Sequence, residues 1–405
     1  MKRIYYIGDF MFPDKNAAGT LVLGNASLLR ELNYEVVLIG NEKNYSHRSF
    51  FDSKNEAYGF EYYTVPHSKN LNGLKKFPEY IKSILKELED NKTKIEAIIF
   101  YSTPNFSMLM YFIGKWAKKN NIKLIANIAD ISAITHGKLH ERLLKRIDFK
   151  IKHYIYEKKI KNLITVTDYI SKRFDPASVK NKVKIPPLVI NQKTIEYKSS
   201  SNSSSCMDFK KSFVYAGVPF PTDGRKVSTS SYKDRLDIII ELFSLVKAES
   251  ENFILNIYGI SKMEYLNVIP HHKEILDELN ENIFFYGIQK KSIVEKKIMN
   301  SDFTINFRDI NEMTSAGFST KFVESLSLGV PAIMTNTSEI DTYLKENING
   351  FLLKHNDLVE NKKKLISIIE MSNEQLQTLK NNCLNDNPFY FKKFKDELSL
   401  FMRNL

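Results

Sequence analysis

Short apolar runs rich in Ile, Val, Tyr and Phe alternate along the chain with longer segments of helical period. This alternation predicts parallel sheets covered by helices. Six runs in the first half are predicted strands: 3–8, 35–40, 96–102, 123–128, 163–166 and 183–185. A second series of five follows: 213–216, 253–258, 283–286, 303–306 and 332–334. The pattern indicates an α/β protein with two doubly wound sheets.

Apolar residues between these runs fall at helical spacing. One buried helix face is predicted from four of them: Ile81, Ile84, Leu85 and Leu88. The apolar stretch 106–116 is about half of the ~20 residues that span a bilayer, so we expect a buried helix there and not an anchor. A last helix is predicted after Pro388 from an apolar stripe: Phe391, Phe394, Leu398 and Phe401.

A polar segment separates the two series of strands. Residues 199–205 read SSSNSSS and lack apolar side chains that could offset the entropy of ordering. We therefore predict a Rossmann-like domain at 1–190, a linker at 191–211, a second Rossmann-like domain at 212–385, and a helix at 386–405 that packs across the domain junction. Two such sheets are expected to face each other across a cleft, where the carboxyl ends of their strands bind ligands.

Composition and charge narrow the partners. The chain has 405 residues and a formal charge of +12, so it should attract anions: nucleic acid, acidic membrane or phosphorylated ligands. No recognition helix, zinc module or aromatic RNA platform accompanies the charge, so nucleic acid is not expected. Cys206 and Cys383 lie far apart, which suits free thiols in a reducing compartment. The apolar N-terminus ends at Asp9, too early for a secretory signal, so a cytoplasmic location is expected.

The most informative segment is 308–331, RDINEMTSAGFSTKFVESLSLGVP, which follows a predicted strand. Gly317 precedes a helical run, and Gly329 with a following proline ends it. Thr320 and Glu324 share one helix face, which places a carboxylate about one turn inside a helix whose free N–H groups face the cleft. Amides near 317–320 suit phosphate or sugar oxygens, and the carboxylate suits two ribose hydroxyls. This combination fits a nucleotide diphosphate sugar.

The segment 317–353 resembles the donor-binding region of retaining glycosyltransferases of family 4, the group 1 type, which have the GT-B architecture. Residues 25–40, 213–236 and 350–353 are also similar to parts of that family. The resemblance implies transfer of a sugar from a nucleotide sugar, expected to be a UDP-sugar, to a glycan acceptor. We expect a lipid-linked acceptor in bacterial surface polysaccharide synthesis. It also implies that the acceptor attacks on the face from which the nucleotide leaves, while the leaving phosphate helps to take the proton.

The family pattern gives roles to residues of this helix and the loop before it. Glu324 falls on the second of two glutamates separated by seven residues, the one that binds the nucleotide ribose. The first would fall at 316, where this chain has Ala316. Gly317, Phe318 and Ser319 resemble the loop whose amides contact the sugar and the diphosphate. The predicted donor-binding set continues into the helix with Thr320 and Lys321.

Two further cations are candidates for the donor diphosphate. Lys233 resembles the family lysine that neutralises it, although the family more often has Gly where Asp234 stands. The alternative is that Lys233 is a solvated lysine at a helix start. Arg308 leaves the carboxyl end of a strand, where a guanidinium can bind phosphate through two hydrogen bonds. Its alternative is an ion pair with Asp309 or Glu312.

The first domain supplies the candidates for the acceptor. Gly19, in the loop-to-helix segment after the first strand, would let an acceptor approach the backbone, or it simply allows helix entry. Asp130 follows the strand 123–128 and resembles an aspartate that several family members place near the acceptor. It is the candidate catalytic residue, orienting or deprotonating the acceptor hydroxyl. The alternative is a helix cap.

The spacing of possible metal ligands and the charge of one segment bear on metal and membrane partners. No Asp-x-Asp pair follows a strand and no cluster has metal-ligand spacing, so we expect neither a metal nor another cofactor. Lys, Arg and amides would then meet the charge of the leaving diphosphate. The segment 138–161 has nine Lys or Arg residues against three acids on an amphipathic pattern. It predicts peripheral contact with anionic membrane, or else a solvated helix face.

Two other functions remain open. Ala316 favours a sugar-nucleotide or glycan-binding subunit that has lost turnover and assists a partner transferase. A nucleotide-sugar epimerase on the same architecture would act without any acceptor.

Overall fold

The computed structural model describes residues 1–13, 15–66, 77–101, 107–130, 160–173, 179–190, 210–222 and 232–405, with the single positions 143, 146, 147, 150, 151, 154, 228 and 229. Contacts divide the chain into two compact units. The first comprises Met1–Ile190, Ala316–Phe318 and Phe389–Leu405, and the second comprises Asn191–Ser315 and Ser319–Pro388.

The first unit is built on an eight-stranded sheet. Its strands are β1 Arg3–Gly8, β2 Glu35–Glu42, β3 Asn55–Ala57, β4 Phe60–Pro66, β5 Ile95–Tyr101, β6 Lys123–Ile128, β7 Asn162–Thr165 and β8 Asn181–Lys184. The order is β3-β4-β2-β1-β5-β6-β7-β8, and all neighbours are parallel except β3 and β4. The chain moves to one side of β1 to form β2 and to the other side to form β5. This change of direction makes a topological switch point at the ends of β1 and β5.

Helices cover this sheet through their apolar faces. They are α1 Ala17–Glu31, α2 Phe77–Asp90, α3 Ser107–Lys119 and α4 Asp168–Arg173. The Asn16 side chain caps α1 by accepting from the amide of Gly19 at 2.7 Å. The predicted face of α2 is largely buried through Ile81, Ile84 and Leu88. The strands β1 and β5 are buried along nearly all of their length, as a sheet covered on both faces requires.

The second unit has six parallel strands. They are β9 Lys211–Ala216, β10 Phe253–Tyr258, β11 Ile283–Phe285, β12 Phe303–Asn306, β13 Ala332–Thr335 and β14 Gly350–Leu353, in the order β11-β10-β9-β12-β13-β14. The switch point lies between β9 and β12. The helices are α5 Leu236–Lys247, α6 Lys262–Val268, α7 Lys273–Glu278, α8 Lys291–Met299, α9 Glu312–Ala316, α10 Thr320–Ser327, α11 Ile340–Tyr343, α12 Leu358–Ile369 and α13 Asn373–Asn385. The final helix, α14 Lys395–Arg403, belongs to the first unit.

Short 3-10 turns occur at Phe51–Ser53, Lys92–Lys94, Pro270–His272 and Phe391–Phe394. The last of these precedes α14, so the predicted final helix begins as a 3-10 turn. Within the first unit, the Asn181 amide donates to the Phe401 carbonyl at 2.8 Å, which attaches α14 to β8. Leu398 and Phe401 of the predicted apolar stripe are buried.

All eleven predicted strands are present, with ends shifted by at most two residues. The pattern missed β3, β4 and β14. The expectation of a buried helix at 106–116 is wrong for one face, because α3 leaves Met108, Tyr111 and Phe112 exposed at 54%, 38% and 40%. Its other face buries Leu109 and Ile113. The predicted linker 191–211 is too long by one residue, since β9 begins at Lys211, and residues 191–209 lie outside the described part of the chain.

No helix in the described part of the chain is long and apolar enough to cross a membrane.

Candidate active site

The ends of β9 and β12 form the switch point of the second sheet. Ligands of open α/β sheets bind at such points, because loops from adjacent strands turn in opposite directions and leave a crevice. Here β9 leads into Gly217, and β12 leads through Phe307 into Arg308. The chemistry of the second unit is concentrated in the side chains around these two strand ends.

A buried carboxylate, Asp234, organises the cations at this point. Its side chain is fully buried and accepts three hydrogen bonds. Arg308 Nε donates to Oδ1 at 2.8 Å, the Tyr215 hydroxyl donates to Oδ2 at 2.9 Å, and Lys321 Nζ pairs with the same Oδ2. From the sequence alone, Asp234 was only a departure from the Gly that the family more often has at this position. In the structure it is the common partner of two predicted donor-binding residues.

Backbone hydrogen bonds hold these side chains in place. The amides of Lys233 and Asp234 donate to the Pro219 carbonyl at 2.7 and 3.3 Å, which anchors the segment before α5 to the loop after β9. Thr335, the last residue of β13, exchanges hydrogen bonds with the backbone of Arg308, each 2.9 Å long. Rigid strand ends therefore position both sides of the cluster.

Gly217 leaves room for Lys321 to reach Asp234. A Cβ at position 217 would lie 2.5 Å from Cε and Nζ of Lys321, closer than any real contact. The Lys321 ammonium also lies 4.8 Å from the centre of the Tyr215 ring, a cation–π distance. A glycine at the end of β9 is therefore a requirement of the Lys321 conformation.

Burial and charge shift two pKa values in this cluster. Burial alone would raise the pKa of Asp234, but Lys321 and Arg308 outweigh it and hold that pKa well below the ordinary value. Burial lowers the pKa of Lys321 to about 8, with Arg308 and Lys233 adding to the effect and Asp234 opposing it. Asp234 is therefore ionised at neutral pH, and Lys321 keeps most of its positive charge.

The cluster retains positive charge that the described residues do not neutralise. Lys233, Arg308 and Lys321 face the single carboxylate of Asp234, so two positive charges remain in excess. Lys233 is exposed and has no ion pair among the described residues. Arg308 uses Nε for Asp234, and its two terminal nitrogens have no partner in the same part of the chain. Such donors suit an anion of two or more charges, such as a diphosphate.

The structure shows which partners Arg308 and Lys233 have. Arg308 does form an ion pair, but with Asp234. The proposed partner Asp309 pairs with Arg235 at 2.7 Å instead. Lys233 is solvated, as its alternative required, and it is also close enough to Lys321 to lower that residue's pKa.

The start of α10 carries the remaining donor-binding candidates of this unit. Ser319 is the N-cap residue, yet its side chain caps no amide, and its buried hydroxyl has no hydrogen-bond partner among the described residues. The amides of Thr320 and Lys321 also lack a partner within that part of the chain. Glu324 is half-buried one turn further on, on the same helix face as Thr320. The N-terminus of α10 therefore offers amides and a hydroxyl to a ligand.

Asn306 is a residue that the sequence did not single out. It ends β12 with 4% exposure, and neither atom of its amide group has a hydrogen-bond partner among the described residues. Thr304, two residues earlier on the same strand face, contacts Ser325 of α10 at 2.6 Å. Asn306 therefore lies on the face of β12 that packs against α10. A buried amide without a partner at a strand end points to a bound molecule.

Gly317 and Phe318, also predicted to bind the donor, belong to the first unit by their contacts. The Phe318 ring packs edge-on against Phe389 at 5.6 Å between ring centres. The neighbouring Ala316 is fully buried, and its carbonyl accepts from the Thr167 hydroxyl at 3.1 Å. The segment is held by the first unit immediately before Ser319, and its predicted role in contacting the donor stays a prediction.

In the first unit, two carboxylates follow β1 and β6 and lie near the end of β5. Asp130 is exposed after β6, and Asp9 follows β1 half-buried. Burial raises the pKa of Tyr101 at the end of β5, and the charges of Asp130 and Asp9 raise it further. Both carboxylates therefore lie near Tyr101. The predicted acceptor residue Asp130 has a second carboxylate as a neighbour, which the sequence did not identify.

Gly19 has a structural role in the first unit. Its amide donates to the capping side chain of Asn16, and a Cβ at this position would lie 2.2 Å from the Met11 carbonyl oxygen. The loop after β1 therefore packs on the space that a side chain would need. Contact with an acceptor stays a prediction for Gly19.

The basic segment 138–161 lies mostly outside the described residues. In the whole described part of the chain, no group of three or more His, Cys, Asp or Glu side chains could hold a metal ion.

Comparison with known protein families shows which family the domain that carries this site resembles. Residues 226–384 match the model of the family described as glycosyl transferases group 1. This part of the chain is a group 1 glycosyl transferase domain. The matched range contains the whole cation cluster after β9 and β12, together with α10 and Glu324. No protein with a curated description matches the chain.

Solved structures show the fold of this glycosyltransferase. Sucrose-phosphate synthase from Thermosynechococcus elongatus is 13% identical with a TM-score of 0.66, and the match covers 100% of this chain and 98% of that one. HepE from Anabaena, solved with UDP, is 12% identical with a TM-score of 0.63 and full coverage of both chains. A TarM variant from S. aureus, solved with UDP and α-GlcNAc-glycerol, is 12% identical with a TM-score of 0.61, covering 99% and 100%. The predicted GT-B fold and glycosyltransferase class are confirmed.

Proposed function

We propose that this group 1 glycosyltransferase transfers a sugar with retention from a UDP-sugar to a lipid-linked glycan in bacterial surface polysaccharide synthesis. The observation that carries the proposal is the cluster of Lys233, Arg308 and Lys321 around Asp234. Its excess positive charge lies at the switch point of the second sheet, where α/β proteins bind nucleotides. The presence of UDP in the HepE and TarM structures supports uracil as the base.

The donor half of the mechanism follows from this cluster. Cleavage of the bond between sugar and diphosphate leaves negative charge on the phosphate nearest the sugar. Lys321 and the two terminal nitrogens of Arg308, which have no partner among the described residues, are fixed in place before the reaction. They therefore stabilise this charge without reorganising. Lys233 adds an exposed ammonium at the solvent side. We expect the reaction to need no metal, because these cations and the α10 amides meet the charge of the leaving group.

Glu324 and Asn306 extend the donor site in this proposal. The Glu324 carboxylate accepts from two ribose hydroxyls, which fixes the nucleotide relative to α10. The Asn306 amide can both donate and accept, which suits a hydroxyl of the transferred sugar or a phosphate oxygen. The hydroxyl of Ser319 and the amides of Gly317 and Phe318 complete this side.

Asp130 acts on the acceptor in this proposal. An exposed aspartate at the end of β6 can accept a hydrogen bond from the attacking hydroxyl and orient it. The leaving phosphate then takes the proton on the same face of the sugar. Asp9 contributes a second negative charge near Tyr101, where Asp130 also lies.

An exposed apolar face in the first unit supports the membrane part of the proposal. Met108, Tyr111 and Phe112 of α3 line a cavity of about 410 Å³ together with Lys150, Ile151 and Tyr154. Exposed Leu143 and Ile147 lie on the same chain segment as the last three. Apolar side chains beside basic ones are the combination that binds anionic bilayers at their surface. We infer that this face contacts the cytoplasmic leaflet.

A transfer assay tests the proposal. UDP-glucose, UDP-galactose and UDP-N-acetylglucosamine are incubated with the protein, with and without bacterial lipid extract, and released UDP is measured. We expect release that depends on the extract, and a product whose anomeric proton coupling matches the donor's. Asp130→Asn should abolish transfer and leave UDP affinity unchanged. Equal loss of both would make Asp130 structural, and release without any acceptor product would contradict transfer.

Vesicle binding tests the membrane contact separately. The variant Met108→Ser/Phe112→Ser should lose most of its binding to vesicles that contain phosphatidylglycerol. Met263→Ser/Ile288→Ser removes two exposed apolar side chains of the second unit, 73% and 78% exposed, and should bind like the unmodified protein. Equal binding of both variants would contradict the assignment of this face.

Ala316 supports a second candidate, a sugar-nucleotide-binding subunit that lacks turnover. The site of the family's first glutamate carries a fully buried methyl group, so a carboxylate for the sugar hydroxyls is absent at this position. Tight UDP-sugar binding without extract-dependent UDP release would favour this candidate. Sugar isomerisation without an acceptor would instead favour an epimerase.

A further inference from the structure

A second cavity, of about 480 Å³, lies in the first unit beside β2 and β4. Its walls come from the loop after β1, the end of β2 with the segment that follows, and the β3–β4 pair. Its volume falls within the ~300–1,000 Å³ typical of small-molecule sites. The lining residues are Met11, Phe12, Lys15, Asn41, Glu42, Lys43, Asn44, Ser46, His47, Ser53, Asn55, Tyr62 and Thr64. None of them belongs to the cation cluster of Lys233, Arg308 and Lys321.

Asn41 is a buried wall residue with an unused hydrogen-bond acceptor. It is 2% exposed and ends the buried part of β2. Its Nδ2 donates to Asp9 Oδ1, which fixes the orientation of the amide group. The other amide atom, Oδ1, has no hydrogen-bond partner among the described residues. Since buried polar atoms are nearly always paired, this oxygen leaves a hydrogen bond open to a donor that the described residues do not supply.

The charges that remain free in this cavity are positive. Lys15 and Lys43 are exposed and form no ion pair within the described part of the chain. The single carboxylate of the wall, Glu42, is already engaged: it lies 3.4 Å from His47 and accepts from the Thr64 hydroxyl at 3.3 Å. The cavity can therefore accept an anion.

Neutral polar groups make up much of the rest of the wall. Asn44, Ser46, Asn55 and Tyr62 present amides and hydroxyls that can donate and accept. This mixture suits a ligand with many hydroxyl groups. Two lysines, as compact point charges, suit a phosphate monoester that carries close to two negative charges better than they suit one carboxylate.

We propose that this cavity binds a saccharide unit that carries an anionic group, with a phosphate monoester preferred over a carboxylate. Lys15 and Lys43 bind the anionic group, and Asn41 Oδ1 accepts from a sugar hydroxyl. The cavity is connected to the acceptor side through Asp9, which bonds Asn41 and lies near Tyr101 as Asp130 does. The identification of this saccharide as part of the acceptor rests on the proposed function; its binding does not.

Calorimetry on the full chain tests the site with four probes: glucose 6-phosphate, glucuronate, glucose and inorganic phosphate. We expect glucose 6-phosphate to bind most tightly, with glucose and inorganic phosphate at least about tenfold weaker. Lys15→Gln/Lys43→Gln should weaken glucose 6-phosphate binding by about tenfold. Lys82→Gln/Lys86→Gln removes two exposed lysines of α2 that form no ion pair among the described residues, with the same change in net charge. It should change the affinity by less than about twofold.

Asn41→Ala separates the hydroxyl contact from the charge. It should weaken glucose 6-phosphate binding and leave inorganic phosphate binding unchanged, in a protein whose thermal unfolding shows that it is folded. Glucose binding as tight as glucose 6-phosphate, or equal affinities of the two double-lysine variants, would overturn the proposal. UDP titration of the same samples distinguishes the two proposals. If the protein binds glucose 6-phosphate but not UDP, the donor site is contradicted. If it binds UDP but not glucose 6-phosphate, this cavity is contradicted.

Discussion

Asp234 determines the electrostatics of the proposed donor site at the scale of single residues. It is fully buried, and it brings the side chains of Arg308 and Lys321 together from two different elements. Without it, two cations of low exposure would repel each other. With it, they remain close and still present an excess of positive charge. One buried carboxylate therefore makes a cationic site stable in the absence of ligand.

Asp234→Asn should destabilise the protein by about 3 kcal/mol, because removing one partner of a buried ion pair leaves the others uncompensated. UDP should then raise the melting temperature of the variant more than that of the unmodified protein, since its phosphates replace the missing negative charge. Thermal unfolding with and without UDP measures both effects. Asp277→Asn alters an exposed ion pair of 3.1 Å and should change neither quantity. A smaller UDP effect in Asp234→Asn would contradict this role.

Glu324→Ala should weaken UDP binding by about 1–3 kcal/mol through loss of charged hydrogen bonds to the ribose. Uridine should lose the same amount, because the contact is to the sugar of the nucleoside. Calorimetric titration of both ligands is the measurement. Glu374→Ala removes an exposed acid of α13 and is the control. An unchanged UDP dissociation constant in Glu324→Ala would rule out the ribose contact.

The pKa of Lys321 makes UDP binding pH-dependent. Because burial lowers this pKa to about 8, the ammonium loses its proton as the pH rises through that value. The protonated form attracts phosphate, so UDP affinity should be highest below pH 8 and fall above it. Binding measured from pH 6.5 to 9.5 checks this prediction. Lys321→Met should bind UDP more weakly at every pH and show no step near 8; a step that persists in the variant would assign it to another group.

At the scale of elements, two strand ends and one helix start make the proposed donor site. The carboxyl ends of β9 and β12 provide Gly217 and Arg308, and the first turn of α10 provides Lys321. Strand positions follow from runs of apolar residues, so the sequence alone predicted where these ends lie. It also predicted that a carboxylate sits one turn inside α10, from the spacing of Thr320 and Glu324.

The contacts between elements could not be predicted from the sequence. Lys321 and Asp234 are 87 residues apart, and their pairing depends on the sheet order that brings β9 next to β12. The alternative partners considered for Arg308 were neighbours in the chain, whereas the real partner comes from another loop. Asp9 and Asn41 were missed for the same reason. A search for polar residues at the end of every predicted strand, or directly after it, would have found Asn306 and Asp9.

Gly217→Ala tests how the end of β9 and the start of α10 fit together. The new methyl group would occupy the place of the Lys321 ammonium, so that side chain must move away from Asp234. We expect UDP affinity to fall by about tenfold. Gly114→Ala in α3 meets no atom closer than 3.7 Å and should leave UDP affinity unchanged. Calorimetry on the two variants is the comparison, and equal affinities would show that the Lys321 position does not matter for UDP.

At the scale of the whole molecule, the chain has the GT-B fold with chemistry in both units. The second unit carries the group 1 domain with its cation cluster. The first carries two carboxylates near Tyr101, a polar cavity next to them, and an apolar face on α3. The alternation of strands and helices predicted this fold class. The cavities depend on loops and on the β3–β4 pair, whose short, partly polar strands have no clear periodic signal.

The measurement that tests the central claim most directly is calorimetric binding of UDP and uridine at low and moderate salt. The cation cluster predicts that UDP binds at least about 100-fold more tightly than uridine, and that salt reduces this ratio. Lys233→Gln/Lys321→Met should lose most of the ratio, while Lys290→Gln/Lys296→Gln, two exposed lysines of the same unit, should keep it. Equal affinity of the protein for UDP and uridine would contradict the account.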